Sequence, residues 1–161
     1  MPDLRQEFVK VFGELVEKYE DIYFLVDDVG YSFLEGLEKK LGRRFINCGI
    51  MEEVITGIAA GLAKMGKKPY YYSMIPFVLF RNAEQVRNDI VGNNLNVKLI
   101  GVKGSERYAF LGKSHNLLHP KEDINFCENI GLDYRIPQSN EEVRKVILET
   151  YNSSKACYIR L

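Results

Sequence analysis

A chain of 161 residues, 46% of them hydrophobic, is long enough to bury a sizeable core as one domain spanning residues 1–161. Its 22 basic side chains are balanced by 22 acidic ones, which removes the electrostatic case for a nucleic acid or an anionic membrane as partner. No apolar run approaches a membrane span, the N-terminus lacks a signal-peptide core, and Cys48, Cys127 and Cys157 are too scattered for a metal cluster, so a cytoplasmic protein with reduced thiols is expected.

Asp3 and Gln6 predict a capping box, and Leu4, Phe8, Val11, Phe12, Leu15 and Tyr19 recur at helical spacing behind it. Ile22-Tyr-Phe-Leu-Val26 is a continuous apolar run, as expected of a strand covered on both faces. Asp28-Val-Gly-Tyr-Ser32 reads as a turn, with Gly30 supplying backbone freedom. A second strand, Phe45-Ile-Asn-Cys48, runs into Gly49-Ile-Met-Glu52, where a carboxylate opens a helix. Acidic residues suit any first helical turn because of the macrodipole. Junctions of this kind in open α/β sheets, however, lie at the carboxyl ends of strands, where ligands collect. The same helix carries Gly57, Ala59, Ala60, Gly61 and Ala63. Each interior glycine costs about 1 kcal/mol against alanine, so two of them imply a closely packed neighbour.

Tyr70-Tyr-Tyr72 predicts the third strand, and Ser73-Met-Ile-Pro-Phe-Val-Leu-Phe-Arg81 leads from it into a helix. Phe77 and Phe80, at i,i+3, read either as core aromatics or as the walls of a flat ligand's pocket. Strands follow at Val97–Val102, Tyr134–Ile136 and Cys157–Leu161, with a loop around Phe110-Leu-Gly-Lys-Ser-His-Asn116. The last helix begins near Ser139, with Glu142 completing a second capping box, and buries Val143, Val146, Ile147 and Tyr151. The alternation predicts a three-layer α/β fold, with helices on both faces of a mainly parallel sheet of about six strands.

Taken together, Asp28-Val-Gly-Tyr-Ser32, Gly49-Ile-Met-Glu-Glu53, Gly57-Ile-Ala-Ala-Gly61, Phe77-Val-Leu-Phe-Arg81 and Glu84-Gln-Val-Arg-Asn-Asp89 resemble the pyrimidine-binding domain of transketolase and deoxyxylulose-phosphate synthase. The likeness runs from about residue 22 to the C-terminus, in the family's order. It implies thiamine diphosphate as cofactor, held in a cleft shared with a diphosphate-binding domain. By the resemblance, Glu52 is the carboxylate that hydrogen-bonds N1′ of the aminopyrimidine and favours the tautomer whose 4′-nitrogen removes the thiazolium C2 proton. Phe77 and Phe80 correspond to the aromatics that wall in that ring, Asp28 and Val29 to the residues against the bent cofactor, and Ser32 to one facing the substrate channel. His115 aligns with a histidine that contacts substrate and takes part in proton transfer.

The departures carry information too. Ala83 stands where many relatives have a third aromatic, which thins the pocket wall around the cofactor; in the His115 loop Lys113 replaces a proline, Leu111 stands where transketolases proper have a substrate-contacting aspartate, and about three extra residues around His119-Pro-Lys121 precede Glu122-Asp123. Substrate choice is therefore expected to differ. No Gly-Asp-Gly with a downstream asparagine is present, so the diphosphate and its Mg²⁺ or Ca²⁺ are expected to be held by a separate partner subunit, in a heterotetramer. The resemblance implies transfer of a two-carbon ketol unit between sugars, phosphorylated or free. A split thiamine-dependent 2-oxo acid decarboxylase and a non-catalytic scaffold subunit are the competing readings.

Overall fold

The apolar run Ile22–Val26 forms β1, the strand on which the rest of the sheet is organised. In the computed structural model, which describes residues 3–103 and 108–161, it is flanked by β2 (Phe45–Asn47) and β3 (Lys68–Met74). The other strands are β4 (Lys98–Val102), β5 (Asp133–Arg135) and β6 (Cys157–Arg160). Their order is β2-β1-β3-β4-β6-β5, and each neighbouring pair is parallel. Parallel neighbours cannot be joined by tight turns. α1 (Leu4–Lys18) precedes β1, and the crossovers include α2 (Glu35–Leu41), α3 (Glu52–Lys64), α4 (Ala83–Gln85), α5 (Glu122–Ile130) and α6 (Asn140–Asn152). None of these helices is long and apolar enough to cross a membrane among the described residues.

Strand alternation divides the core between the two faces of the sheet. Phe24, Val26, Tyr70 and Tyr72 point to the side packed by α1, α2 and α6, where they meet Phe8, Phe12, Leu37 and Ile147. Leu25, Tyr71, Leu99 and Tyr158 point the other way, onto Ile55, Ala59, Val78 and Val86. The expected three-layer architecture is therefore present, with a sheet parallel throughout.

Local details refine the sequence reading. The Asp3 carboxylate accepts from the backbone N–H of Arg5 at 3.2 Å and from its Nε at 2.9 Å, so the cap is made on Arg5 rather than on Gln6, whose N–H bonds the Asp3 carbonyl. At α6, Ser139 Oγ accepts from the Glu142 N–H as predicted, and the Glu142 carboxylate reaches back to the Gln138 N–H at 2.7 Å. Beyond β3 the expected regular helix is replaced by π-helical turns at Pro76–Phe80 and Val86–Val91, with α4 between them. Such wide turns are concentrated at functional sites.

The chain passes from β1 to β2 on one side and then to β3 on the other. The carboxyl ends of β1 and β3 therefore flank a topological switch point, the place where open α/β sheets take up ligands.

Candidate functional site

A cavity of about 540 Å³ opens at that switch point. Its walls come from the turn after β1 (Asp27, Asp28, Val29), the start of α3 (Glu52), the end of β3 with the π turn beyond it (Ser73, Phe77, Arg81) and the loop carrying His115. Asp28, Val29, Glu52, Phe77 and His115, all candidates from the sequence, thus converge on one space. Phe80 and Ser32 do not line it. The π turn carries Phe80 round to α5, where its ring meets Phe126 edge-on at 5.9 Å. Ser32 donates its backbone N–H to Glu35 in the turn that starts α2.

The loops are held together by a few polar contacts. Asn47, the last residue of β2, accepts from the Asp28 N–H at 3.1 Å and the Gly49 N–H at 2.9 Å, and its amide nitrogen reaches the Asp28 carboxylate at 3.3 Å. One side chain thereby ties the turn after β1 to the turn that delivers Glu52. Asp28 and Ser32 both have positive φ, 63° and 59°, an uncommon conformation for residues with a side chain and one that clusters at ligand sites. Gly30, at φ 83°, admits no substituent, because a Cβ there would collide with Leu34.

Glu52 is 5% exposed although it is the first residue of α3. Its Oε1 accepts from Arg81 Nη1 at 2.5 Å, which gives the buried carboxylate a counter-charge. The guanidinium of Arg81 also lies 3.7 Å from the centroid of the Phe77 ring. Asn82 secures this corner when its amide is oriented to suit its neighbours: the nitrogen donates to the Phe77 and Val78 carbonyls at 3.1 Å and the oxygen accepts from Thr56 Oγ1 at 2.5 Å. Thr56 sits one turn along α3 from Glu52, so the amide joins the π turn to the helix bearing the carboxylate.

His115 contacts Phe77 edge-on, with ring centroids 4.9 Å apart, and its Nδ1 is 2.8 Å from Ser114 Oγ. Its loop is folded on Asn116, whose amide nitrogen donates to the Tyr108 and Gly112 carbonyls at 3.1 and 2.7 Å. Leu111 lines the cavity close by, whereas Ala83 does not.

The cavity residues to which the sequence reading gave no role include Arg5, Asp27, Tyr72 and Arg81. Arg5 comes from the first turn of α1, and its guanidinium is held by Asp3 5.3 Å from the Phe33 ring centroid. Asp27 had a readable signal. In β1 the odd-numbered residues Tyr23 and Leu25 face the α3 side, and Asp27 continues that alternation into a position where a carboxyl must be buried.

The small residues of α3 behave differently from expectation within this chain. Ala59 and Ala60 are buried, but a Cβ on Gly57 or Gly61 would meet nothing within 4 Å. The face they share with Val54 and Met65 is open, and Ile50, Met51 and Tyr31 are also exposed beside the cleft.

Fold and cleft together define a doubly wound α/β domain with a polar, aromatic-walled crevice at its switch point. The chain belongs to the family described as transketolase, pyrimidine binding domain, which it matches over residues 1–161. It is 32% identical over 159 residues to an apulose-4-phosphate transketolase subunit of Phocaeicola vulgatus, covering 98% of this chain and 50% of that one. It is 29% identical over 160 residues to the 6-deoxy-6-sulfo-D-fructose transketolase subunit SqwH of a Clostridium species, covering 98% of this chain and 49% of the relative. Among solved structures, a split-gene transketolase described as an inactive beta4 tetramer superposes with a TM-score of 0.82 at 27% identity, over 98% of this chain and 50% of that one. The chain thus spans about half the length of these relatives.

Proposed function

We propose that this chain is the pyrimidine-binding part of a two-chain transketolase, which moves a two-carbon ketol unit between sugars with thiamine diphosphate. The observation that carries the reading is the convergence of Glu52, Phe77 and Arg81. A flat cation lies on an aromatic face while donating an N–H to a buried carboxylate. An aminopyrimidine ring makes the same two demands, a flat apolar neighbour and a carboxyl at its ring nitrogen, so the groups present fit that end of the cofactor. When bound, the cofactor supplies a thiazolium carbon able to accept and release the ketol unit.

The chain's own residues then have assigned tasks. Glu52 hydrogen-bonds the ring nitrogen and holds the proton that selects the reactive tautomer. Phe77 orients the ring, whereas Phe80 packs on Phe126 away from the cavity wall and takes no part in holding it. Asp28 and Val29 support the bent cofactor from the turn after β1. His115, set by Ser114 and edge-on to Phe77, handles a substrate hydroxyl proton, and Ser32 lies toward the substrate entrance.

Among the described residues no group of three or more His, Cys, Asp or Glu side chains is placed to hold a metal ion. In this reading a partner subunit holds the diphosphate and its Mg²⁺ or Ca²⁺, in a heterotetramer. The open face of α3 and the exposed Tyr31, Ile50 and Met51 are the surface proposed for that partner, because apolar side chains grouped at a cleft rim mark an interaction site.

The test is calorimetry on this chain with the diphosphate-binding subunit, Mg²⁺ and thiamine diphosphate, followed by an assay for ketol transfer. Binding by the complex, weak or absent binding by this chain alone, and transfer without carbon dioxide release are expected. Release of carbon dioxide from a 2-oxo acid without transfer would assign the complex to the decarboxylases instead, and failure of the complex to bind the cofactor would leave a scaffold.

A further inference from the structure

Asp27 follows the last residue of β1 and is only 3% exposed. Its Oδ2 accepts from the Tyr71 hydroxyl at 2.8 Å and from Ser73 Oγ at 2.7 Å, both on β3. Its Oδ1 is enclosed and has no hydrogen-bond partner. The residue lines the same cavity as Glu52 and Phe77. Leaving a buried polar atom without a partner is costly, and buried polar groups are nearly always satisfied. An orphan oxygen beside a cleft calls for a partner that arrives with the ligand.

We propose that Asp27 is a further ligand-binding residue of this cleft, its Oδ1 hydrogen-bonding the heterocycle held between Glu52 and Phe77. The inference rests on the reading of the cleft given above and adds a contact to it. Burial raises the pKa of the Asp27 carboxyl, and the like charge of Glu52 on the same cavity wall pushes it the same way, while the bonds from Ser73 and Tyr71 oppose both. The titratable groups facing it are Glu52 from α3, Tyr71 from β3 and Cys48 from the turn after β2.

Desolvation is the largest of these effects, and burial disfavours the charged form of the carboxyl. With two hydroxyls donating to Oδ2, Oδ1 is the oxygen left to meet the ligand, and a carboxyl proton held there would need an acceptor. A ring nitrogen of the heterocycle supplies one. The cleft then holds two carboxyls with separate work: Glu52, which has Arg81 as counter-charge, and Asp27, which has only hydroxyls.

The test uses the complex of this chain with the diphosphate-binding subunit and Mg²⁺, titrated with thiamine diphosphate in a calorimeter. Asp27→Ala removes the contact and is expected to weaken binding roughly tenfold. Asp27→Asn keeps a donor in the same place and is expected to retain most of the affinity. Infrared difference spectra should show a neutral carboxyl C=O band that shifts on cofactor addition and is missing in Asp27→Asn, a signature no merely structural role produces. Equal affinity of folded Asp27→Ala and the unsubstituted complex overturns the inference alone, as does a carboxyl band that is absent or unmoved by the cofactor. No binding by the unsubstituted complex overturns the parent reading as well.

Discussion

Arg81 and Glu52 meet at 2.5 Å on the wall of the cleft, although 28 residues separate them in the chain and they belong to different elements. The pair is asymmetric: the glutamate side chain is 6% exposed and the arginine side chain 41%. The carboxylate is thus the group that depends on the contact, and the arginine has water available as an alternative.

Removing only the cation should therefore cost more than removing the anion. Arg81→Met leaves a buried carboxylate without compensation, and about 1–3 kcal/mol of stability should be lost, less than for a fully buried pair because Arg81 is partly solvated. Glu52→Gln should cost less, and Arg81→Met/Glu52→Gln should recover much of the loss of Arg81→Met. Urea unfolding of the three variants forms the cycle; a double variant no more stable than Arg81→Met would mean that the pair is not coupled.

Gly101 in β4 is fixed by its neighbour on β6. A Cβ there would lie 2.6 Å from Tyr158 Cε2, 2.7 Å from its hydroxyl and 3.0 Å from Ile75 Cγ1. Tyr158 is fully buried and bonded to Asp123 at 2.8 Å, and Asp123 in turn pairs with Arg160 at 3.0 Å, so the ring has little room to yield. Gly101→Ala should destabilise by about 1–3 kcal/mol, read as a lower thermal midpoint. An unchanged midpoint would show that the strand can shift to admit a methyl group.

Gly61 gives the opposite expectation. Nothing in this chain approaches its Cβ position, so Gly61→Ala should stabilise the chain alone by up to about 1 kcal/mol through helix propensity. If the open face of α3 docks the partner, Gly61→Met should leave the chain folded and weaken assembly, measured by sedimentation of the mixed subunits. Assembly at full strength with a methionine there would move the interface elsewhere.

Lys98 lies far from this chemistry but provides a pH test of the core. It is 1% exposed at the start of β4, and its ammonium donates to the Lys155 carbonyl at 2.6 Å and to the Asn96 side chain. Burial lowers its pKa from the ordinary lysine value of 10.5 to about 8. Between those values the unfolded chain binds more protons than the folded one, so the lysine's contribution to stability is full above about 10.5 and is lost as pH falls toward 8. Against Lys98→Met, the unsubstituted chain should therefore lose relative stability as pH is lowered across that span and show no further change below it. Guanidinium unfolding at stepped pH values is the measurement; a flat difference would mean that water reaches the ammonium.

The fold was largely legible because its signals are local. Ile22–Val26 and Lys98–Val102 are strands buried on their whole length or nearly so, and continuous apolar runs announce such strands. The edge strands Phe45–Asn47 and Asp133–Arg135 are short and less buried, yet turn residues and neighbouring helices bracketed them. The π turns after β3 left no mark in the sequence, because Pro76–Phe80 has the apolar content of an ordinary helix start.

By itself, then, the sequence determined the alternation of strands and helices, the parallel character of the sheet, and the presence of a carboxylate at the start of α3 with aromatic residues after β3. Each follows from periodicity or from a junction a few residues long. Only the tertiary structure decided which side chains share the cleft. The strand order puts β1 beside β3, and this brings Asp27 under the hydroxyls of Tyr71 and Ser73, lays Arg81 between Glu52 and Phe77, and turns Phe80 away onto Phe126. Apart from Arg81 on Phe77, those contacts bridge gaps of tens of residues, and no local pattern records which distant group will satisfy a buried charge. That pairing is set when the sheet closes and water is excluded.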